Sequence, residues 1–179
     1  MPDGVFVVKL MNKQIVIACD LGGTNLRMAA IDGEGEILYR TRRETPKGER
    51  ADEVVGAIIE SANDCRKNVE DSGAVLAVAI AAPATVSAEK GIILKAPNVP
   101  ALDGFRIIAA LESELNLHAI LENDANAAAV GENWMGASKG FENSICVTLG
   151  TGVGGGIIIN GEVLRGVDGT AGEIGHICV

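Results

Sequence analysis

Apolar residues recur along this chain in two rhythms, every second position and every third or fourth, and the rhythms alternate. Gln14–Asp20 is a β-branched run that predicts a strand, followed by turn chemistry in Leu21-Gly22-Gly23-Thr24-Asn25 and a second strand over Leu26–Ile31. Asp32-Gly33-Glu34-Gly35 is a hairpin signal, and Glu36–Arg43 continues as a third, more exposed strand. Across Asp52–Val69 the apolar positions Val54, Val55, Ile58, Ile59, Ala62, Cys65 and Val69 fall at helical spacing. Ser72-Gly73 ends that helix, and Ala74–Ala82 predicts a buried strand. A loop carrying Pro83, Pro97 and Pro100 leads to a helix from about Gly104 to Asn116, a short strand at His118–Leu121 and an alanine-rich helix over Asp124–Met135. Strands at Ser144–Leu149 and Gly156–Ile159 enclose a glycine cluster. Hairpins first and crossovers later describe an α/β domain with a mixed sheet. The strand–glycine turn–strand pattern then starts again near residue 144.

Composition narrows the function classes. With 47 % hydrophobic but only 3 % aromatic residues, the core must be built from Ala, Val, Ile and Leu. The 23 glycines follow no triplet, which excludes a collagen-like chain, and most sit in a few dense clusters. A formal charge of −9 argues against a nucleic-acid surface and against attraction to anionic membranes. It leaves nucleotide binding open, because such sites work through local dipoles. No apolar run approaches the ~20 residues of a membrane span, and the first residues lack a signal-peptide pattern. Cys19, Cys65, Cys146 and Cys178 are scattered with no C-x-x-C pair, the pattern of reduced thiols, so a cytoplasmic protein is expected.

Four constellations carry candidate chemistry. Asp20-Leu21-Gly22-Gly23-Thr24-Asn25 and Gly150-Thr151-Gly152-Val153-Gly154-Gly155-Gly156 are both glycine-rich turns inside hairpins. Glycine lets backbone N–H groups converge on an anion, since no Cβ blocks approach and positive φ is open to it. Thr24 and Thr151 add hydroxyl donors, and Asp20 stands where a carboxylate would hold Mg²⁺ or its waters beside phosphates. Gly150, Gly152 and Gly155 spell G-x-G-x-x-G, but a dinucleotide site needs a helix next and here a strand follows. Each turn alone is equally well a tight hairpin; the pair points to phosphate.

The third constellation, Glu122-Asn123-Asp124-Ala125-Asn126, lies at a strand-to-helix junction. Asp124 there is either a helix N-cap or, at the carboxyl end of a strand, a carboxylate placed to take a proton from an acceptor hydroxyl. The fourth, Gly169-Thr170-Ala171-Gly172-Glu173-Ile174-Gly175-His176, brings a carboxylate and an imidazole together on a tight bend. They could grip neighbouring sugar hydroxyls, the His could ligate a metal, or the segment is simply a surface turn.

Read together, DLGGTN, ENDANAAA, LGTGVGGGI and GEIGH, in this order from about Gln14 to His176, resemble the ROK family of bacterial glucokinases, related hexose kinases and sugar-responsive repressors. The resemblance implies an actin/hexokinase-like (ribonuclease H-like) ATPase fold, with 1–121 an amino-terminal α/β domain and 122–179 the incomplete start of a second. It implies ATP-dependent phosphorylation of a hexose hydroxyl. Asp20, Gly22, Gly23, Thr24, Gly150, Thr151, Gly152 and Gly154 would contact ATP phosphates and Mg²⁺. Asp124 would be the general base, and Asn123, Glu173 and His176 would hold the sugar. His176 also resembles a ligand of the family's structural Zn²⁺, whose remaining cysteines would lie beyond Val179. There too would fall a further sugar-binding Glu, the adenine pocket and a final helix.

Two features depart from the family pattern. Ala82-Pro83-Ala84-Thr85 carries Ala84 where the family has a glycine near the sugar. The chain also stops at Val179, so alone it is expected to be incomplete, inactive toward hexoses and self-associating, while the family resemblance implies a homodimer. The alternatives are a sugar-responsive repressor and a non-catalytic sugar-binding fragment. The repressor would need a helix-turn-helix before the first strand, and the 13 residues ahead of Gln14 are not helical in pattern.

Overall fold

The computed structural model describes residues 13–150 and 152–177. Its larger sheet has five strands, in the spatial order β3 (Ile37–Glu44), β2 (Asn25–Asp32), β1 (Lys13–Leu21), β4 (Gly73–Ala82) and β7 (His118–Asn123). Alternation builds it: in β1 (Lys13–Leu21) Ile15, Ile17, Cys19 and Leu21 are buried, and in β2 (Asn25–Asp32) Leu26, Met28, Ala30 and Asp32 face the same side. β3 (Ile37–Glu44) closes the edge. The helix α1 (Ala51–Asn68) covers this face with Val54, Val55, Ile58, Ala62 and Cys65. From β3 the chain crosses by α1 into β4 (Gly73–Ala82), which pairs parallel with β1. A second crossover, through β5 (Thr85–Ser87), β6 (Ile92–Lys95) and α2 (Ile107–Leu115), returns to β7 (His118–Asn123), parallel to β4. Ile107, Leu111 and Leu115 of α2 join the same core. Arg66 ties the two helices by donating from its Nη1 to the Leu115 carbonyl at 3.2 Å.

The β2–β3 turn is organised by one buried carboxylate. Asp32 accepts from the backbone N–H of Glu34 at 3.0 Å and of Glu36 at 2.9 Å, and from the Lys13 ammonium at 2.8 Å. The ammonium and the two amides hold its carboxyl below the usual carboxylate range.

After β7 the chain enters α3 (Asp124–Met135) and a second sheet of order β10-β9-β8, with β8 at Ser144–Leu149, β9 at Val153–Ile159 and β10 at Glu162–Val163. α3 packs directly on β9, and the glycines make that possible: a Cβ on Gly156 would lie 2.6 Å from both the Ala125 carbonyl oxygen and the Ala129 Cβ. On the opposite face of this sheet Ile145, Val147 and Leu149 are exposed.

The structure revises the sequence reading in several places. The segment expected as a loop after Pro83 contains the β5–β6 hairpin and a one-turn 3₁₀ helix at Pro100–Leu102. Gly91, at φ +64°, makes the turn after β5 that proline counting missed. The strand read as buried over Ala74–Ala82 is fully buried only at Val78, Ile80 and Ala82; the alternate Ala77, Ala79 and Ala81 are half-buried, and Leu76, skipped where the β1–β4 register shifts, is 46 % exposed. α2 begins at Ile107 rather than near Gly104. Cys19 and Cys65 are free and buried, burial pushing the Cys65 thiol up to about 11 and Cys19 further still; Cys178 lies outside the described residues.

Two glycines in one cluster separate packing from function. Gly156→Ala forces a methyl onto α3 and is expected to cost about 1–3 kcal/mol in urea denaturation. Gly152→Ala, whose Cβ would meet nothing within 4 Å, should leave the midpoint unchanged. Equal losses would refute the packing account of this cluster.

Candidate active site

A cleft of 770 Å³ opens where β1, β4 and β7 end, between the two glycine turns, the start of α3 and the 170–176 segment. Parallel alignment brings these strand ends to one edge, the place where open α/β sheets bind ligands.

The first turn joins β1 to β2, and the Gly22 N–H closes it on the Asn25 carbonyl at 2.9 Å. Gly23 is required by close approach, since a Cβ there would lie 2.9 Å from the Asn98 Cβ. Asp20 sits one residue before the strand ends and accepts from Arg27, its cross-strand neighbour, at 2.9 Å. The second turn joins β8 to β9, with the Gly150 N–H donating to the Gly152 carbonyl at 2.9 Å. Thr151 lies outside the described residues. In the first turn neither Gly22 nor Gly23 has positive φ, so glycine there clears space rather than permits left-handed backbone. In the second turn Gly150 and Gly152 leave space open, whereas Gly154 abuts Thr148 and Ala125.

At the head of α3 the N-cap is Asn123, not Asp124. The Asn123 Oδ1 accepts from the N–H groups of Ala125 at 2.9 Å and Asn126 at 3.1 Å, while its Nδ2 donates to the Ala84 carbonyl at 3.3 Å. Part of the amide expected to hold sugar is therefore committed to the fold. Capping by Asn123 leaves Asp124 at the first helical position with its carboxylate toward the cleft, where one oxygen accepts from the Ala125 N–H at 2.9 Å. Glu122, which was not assigned a role from sequence, is a hub. Its Oε1 accepts from the Asn123 N–H at 3.0 Å and from Asn126 Nδ2 at 3.1 Å, and its Oε2 takes Arg165 Nε at 2.8 Å.

Partial burial raises the Asp124 carboxyl above the ordinary aspartate range, and the charges of Asp20 and Glu173 add to it against the opposing Ala125 N–H. Three acids from three separate stretches of sequence thus converge on one space. Glu173 caps and His176 ends a 3₁₀ turn at Ile174–His176, with Oε2 and Nε2 3.8 Å apart and the His176 side chain 84 % exposed. That bend lies on β9: a Cβ on Gly172 would meet the Gly155 carbonyl oxygen at 2.5 Å.

The cleft also exposes residues that the sequence did not single out, namely Thr85, Asn98, Thr148 and Thr170. Asn98 stands between Pro97 and Val99 in a stretch read as plain loop, and nothing in its local pattern marks it; only the approach of Gly23 does. Asp20 brings a single carboxylate to the cleft, which suits a Mg²⁺ that keeps waters and phosphate oxygens as its other ligands. Zinc does not fit. Among the described residues no three His, Cys, Asp or Glu side chains are grouped to hold a metal, and His176 is far from saturating a tetrahedral ion.

Residues 16–179 match the ROK family. The chain belongs to that family. Over 173 residues it is 38 % identical to the glucokinase of Halalkalibacterium halodurans, covering 94 % of this chain and 51 % of that protein. The ROK family glucokinase of Streptomyces griseus, solved with glucose and AMPPNP, superposes with a TM-score of 0.80 at 38 % identity, covering 92 % of this chain and 51 % of that one. A ROK family transcriptional regulator, a homologue of the E. coli Mlc protein, superposes with a TM-score of 0.82 at 26 % identity over 92 % of this chain and 41 % of that one. The chain spans about half the length of these ROK relatives. Its fold is that of the actin-like ATPases, as the sequence resemblance implied. Among the described residues no helix is long and apolar enough to cross a membrane.

The raised Asp124 carboxyl sets a stability test. A group whose folded pKa is raised favours folding while protonated, and that contribution is lost as pH rises through the folded value. Asp124→Asn is therefore expected to raise Tm above the parent at pH 7, with the gain shrinking as pH falls and Asp124 regains its proton. A lower Tm for the Asn variant at every pH would show that the carboxylate is stabilised where it sits.

Proposed function

We propose that this chain carries the phosphoryl-transfer edge of an ATP-dependent hexose kinase. The observation that carries the reading is Asp124, held free of capping by Asn123 and facing a cleft between two glycine turns. The relatives named glucokinase support it.

In this reading the first turn, Asp20 to Thr24, and the second, Gly150 to Gly154, receive the ATP phosphates through backbone N–H groups and threonine hydroxyls. Mg²⁺, when bound, neutralises charge on the phosphates and is held from the protein side by Asp20. Asn123, Glu173 and His176 hydrogen-bond sugar hydroxyls and fix which one faces Asp124. Asp124 accepts the proton of that hydroxyl as its oxygen attacks the γ-phosphorus, and the bond to the bridging oxygen of ADP breaks. Partial burial first, and the Glu173 charge after it, make Asp124 a better proton acceptor than an isolated aspartate; the Asp20 charge adds to this only while no cation neutralises it. Closure over sugar and nucleotide excludes water, which would otherwise compete for the phosphoryl group. The ROK regulator superposing at a TM-score of 0.82 supports a second reading, hexose binding without transfer.

The test is a coupled ADP-release assay over a hexose panel, in the longest natural reading frame that carries this sequence. Asp124→Asn is expected to lower kcat by ~10²–10⁴ while leaving MgATP and hexose affinity largely intact. Full turnover by that variant would remove Asp124 from the chemistry. Hexose binding with no ADP release by the parent would favour the regulator.

A further inference from the structure

The first glycine turn is held from behind by a residue outside every motif noted above. β3 ends at Glu44, and the next residue, Thr45, is 2 % exposed. Its Oγ1 donates to the Gly22 carbonyl at 2.6 Å, and its backbone N–H donates to the Thr24 carbonyl at 3.0 Å. Arg42 adds a bond from Nε to the Asn25 Oδ1 at 3.0 Å. Thr45 itself is absent from the cleft wall.

An anion-binding turn must present N–H groups and turn its carbonyl oxygens away, because a carbonyl facing phosphate repels it. In this turn the Gly22 N–H is already spent on Asn25, which leaves Gly23, at the cleft wall, to offer its N–H to a phosphate. The Gly22 carbonyl shares a peptide plane with that donor and points the opposite way, and Thr45 draws both it and the Thr24 carbonyl toward β3. On the other side Gly23 rests against Asn98, so the turn is gripped between β3 and the segment after β6. Glycines resist rotation weakly by themselves; the rigidity has to come from these partners.

We infer that Thr45 is a positioning residue for nucleotide phosphate: its hydroxyl holds the Gly22 carbonyl, and its N–H the Thr24 carbonyl, on the β3 side, so that the Gly23 amide, anti to the first of them, faces the cleft. The inference rests on the kinase reading and names a residue that never touches substrate.

Thr45→Val keeps the shape and deletes the hydroxyl, Thr45→Ser keeps the hydroxyl and deletes the methyl, and Thr45→Ala is read beside them should Val fold poorly. In the reading frame that carries this sequence, Val and Ala are expected to raise KM for MgATP about 10–100-fold, the scale of a misplaced site. KM for hexose should stay within error, kcat at saturating MgATP should change far less, and Ser should restore the parent KM. Circular dichroism and urea midpoints verify that each variant is folded. An unchanged KM for MgATP in Val and Ala, an equal rise in both KM values, or a Ser variant no better than Val overturns the role of Thr45 alone. A parent with no hexose-dependent ADP release overturns the kinase reading and the role with it.

Discussion

Much in this chain depends on three parallel strands ending together. β1, β4 and β7 can run parallel only because crossovers carry the chain back along one face, and α1 and α2 are those crossovers. Their burial of Val54, Ile58, Leu111 and Leu115 against Ile15, Ile17 and Val78 fixes the strand register. Register in turn decides that Leu21, Ala82 and Asn123 finish at one edge, so that the first glycine turn, the Pro83–Thr85 segment and Asp124 share a cleft. A slip of one residue in β7 would turn Glu122 and Asn123 to opposite faces of the sheet and carry the start of α3, with Asp124, out of this register. The chemistry proposed for this edge is thus downstream of an apolar core that contains none of the residues doing it.

Glycine serves two unlike purposes here, and the sequence shows only that glycines are present. Gly150 and Gly152 leave open space at the cleft, which suits approach of a phosphate. Gly155 and Gly156, in the same run of sequence, are instead contact surfaces on which the 172–174 bend and α3 rest. The second use supports the first, because α3 carries Asp124 and the bend carries Glu173. Backbone-to-backbone packing at β9 is what brings those two carboxylates within each other's field.

Most of the elements were legible from periodicity. β1, β2, α1 and α3 emerge from runs of Val, Ile and Ala, because a long apolar rhythm has one economical burial. Short elements failed for the opposite reason. β5 has three residues, too few for alternation to register, and its turn depends on Gly91 at a positive φ that composition does not announce. The motifs located the candidate site, yet they did not divide labour within it. The capping residue at α3, the reach of Glu122 to Arg165 and the place of Asn98 are all contacts between distant positions, for which a single sequence carries no local signature.

The division at Asn123 and Asp124 shows how such a contact changes chemistry. A helix start favours a side-chain oxygen over its first amides, and an aspartate in that position would be hydrogen-bonded, stabilised as the anion and weakened as a base. Here the neutral amide of Asn123 takes the Ala125 and Asn126 amides, and Asp124 is left with one such bond. Partial burial and the charges of Asp20 and Glu173 then outweigh that bond, so the carboxyl is raised rather than lowered. The helix start is satisfied by a group that cannot ionise, while the group that can ionise is placed where holding a proton is favoured. A cation beside Asp20 would relieve part of the same repulsion and lower the Asp124 carboxyl again. In the proposed kinase reading, proton affinity at Asp124 and cation occupancy at Asp20 would therefore be linked through a single electrostatic field, with no moving part required.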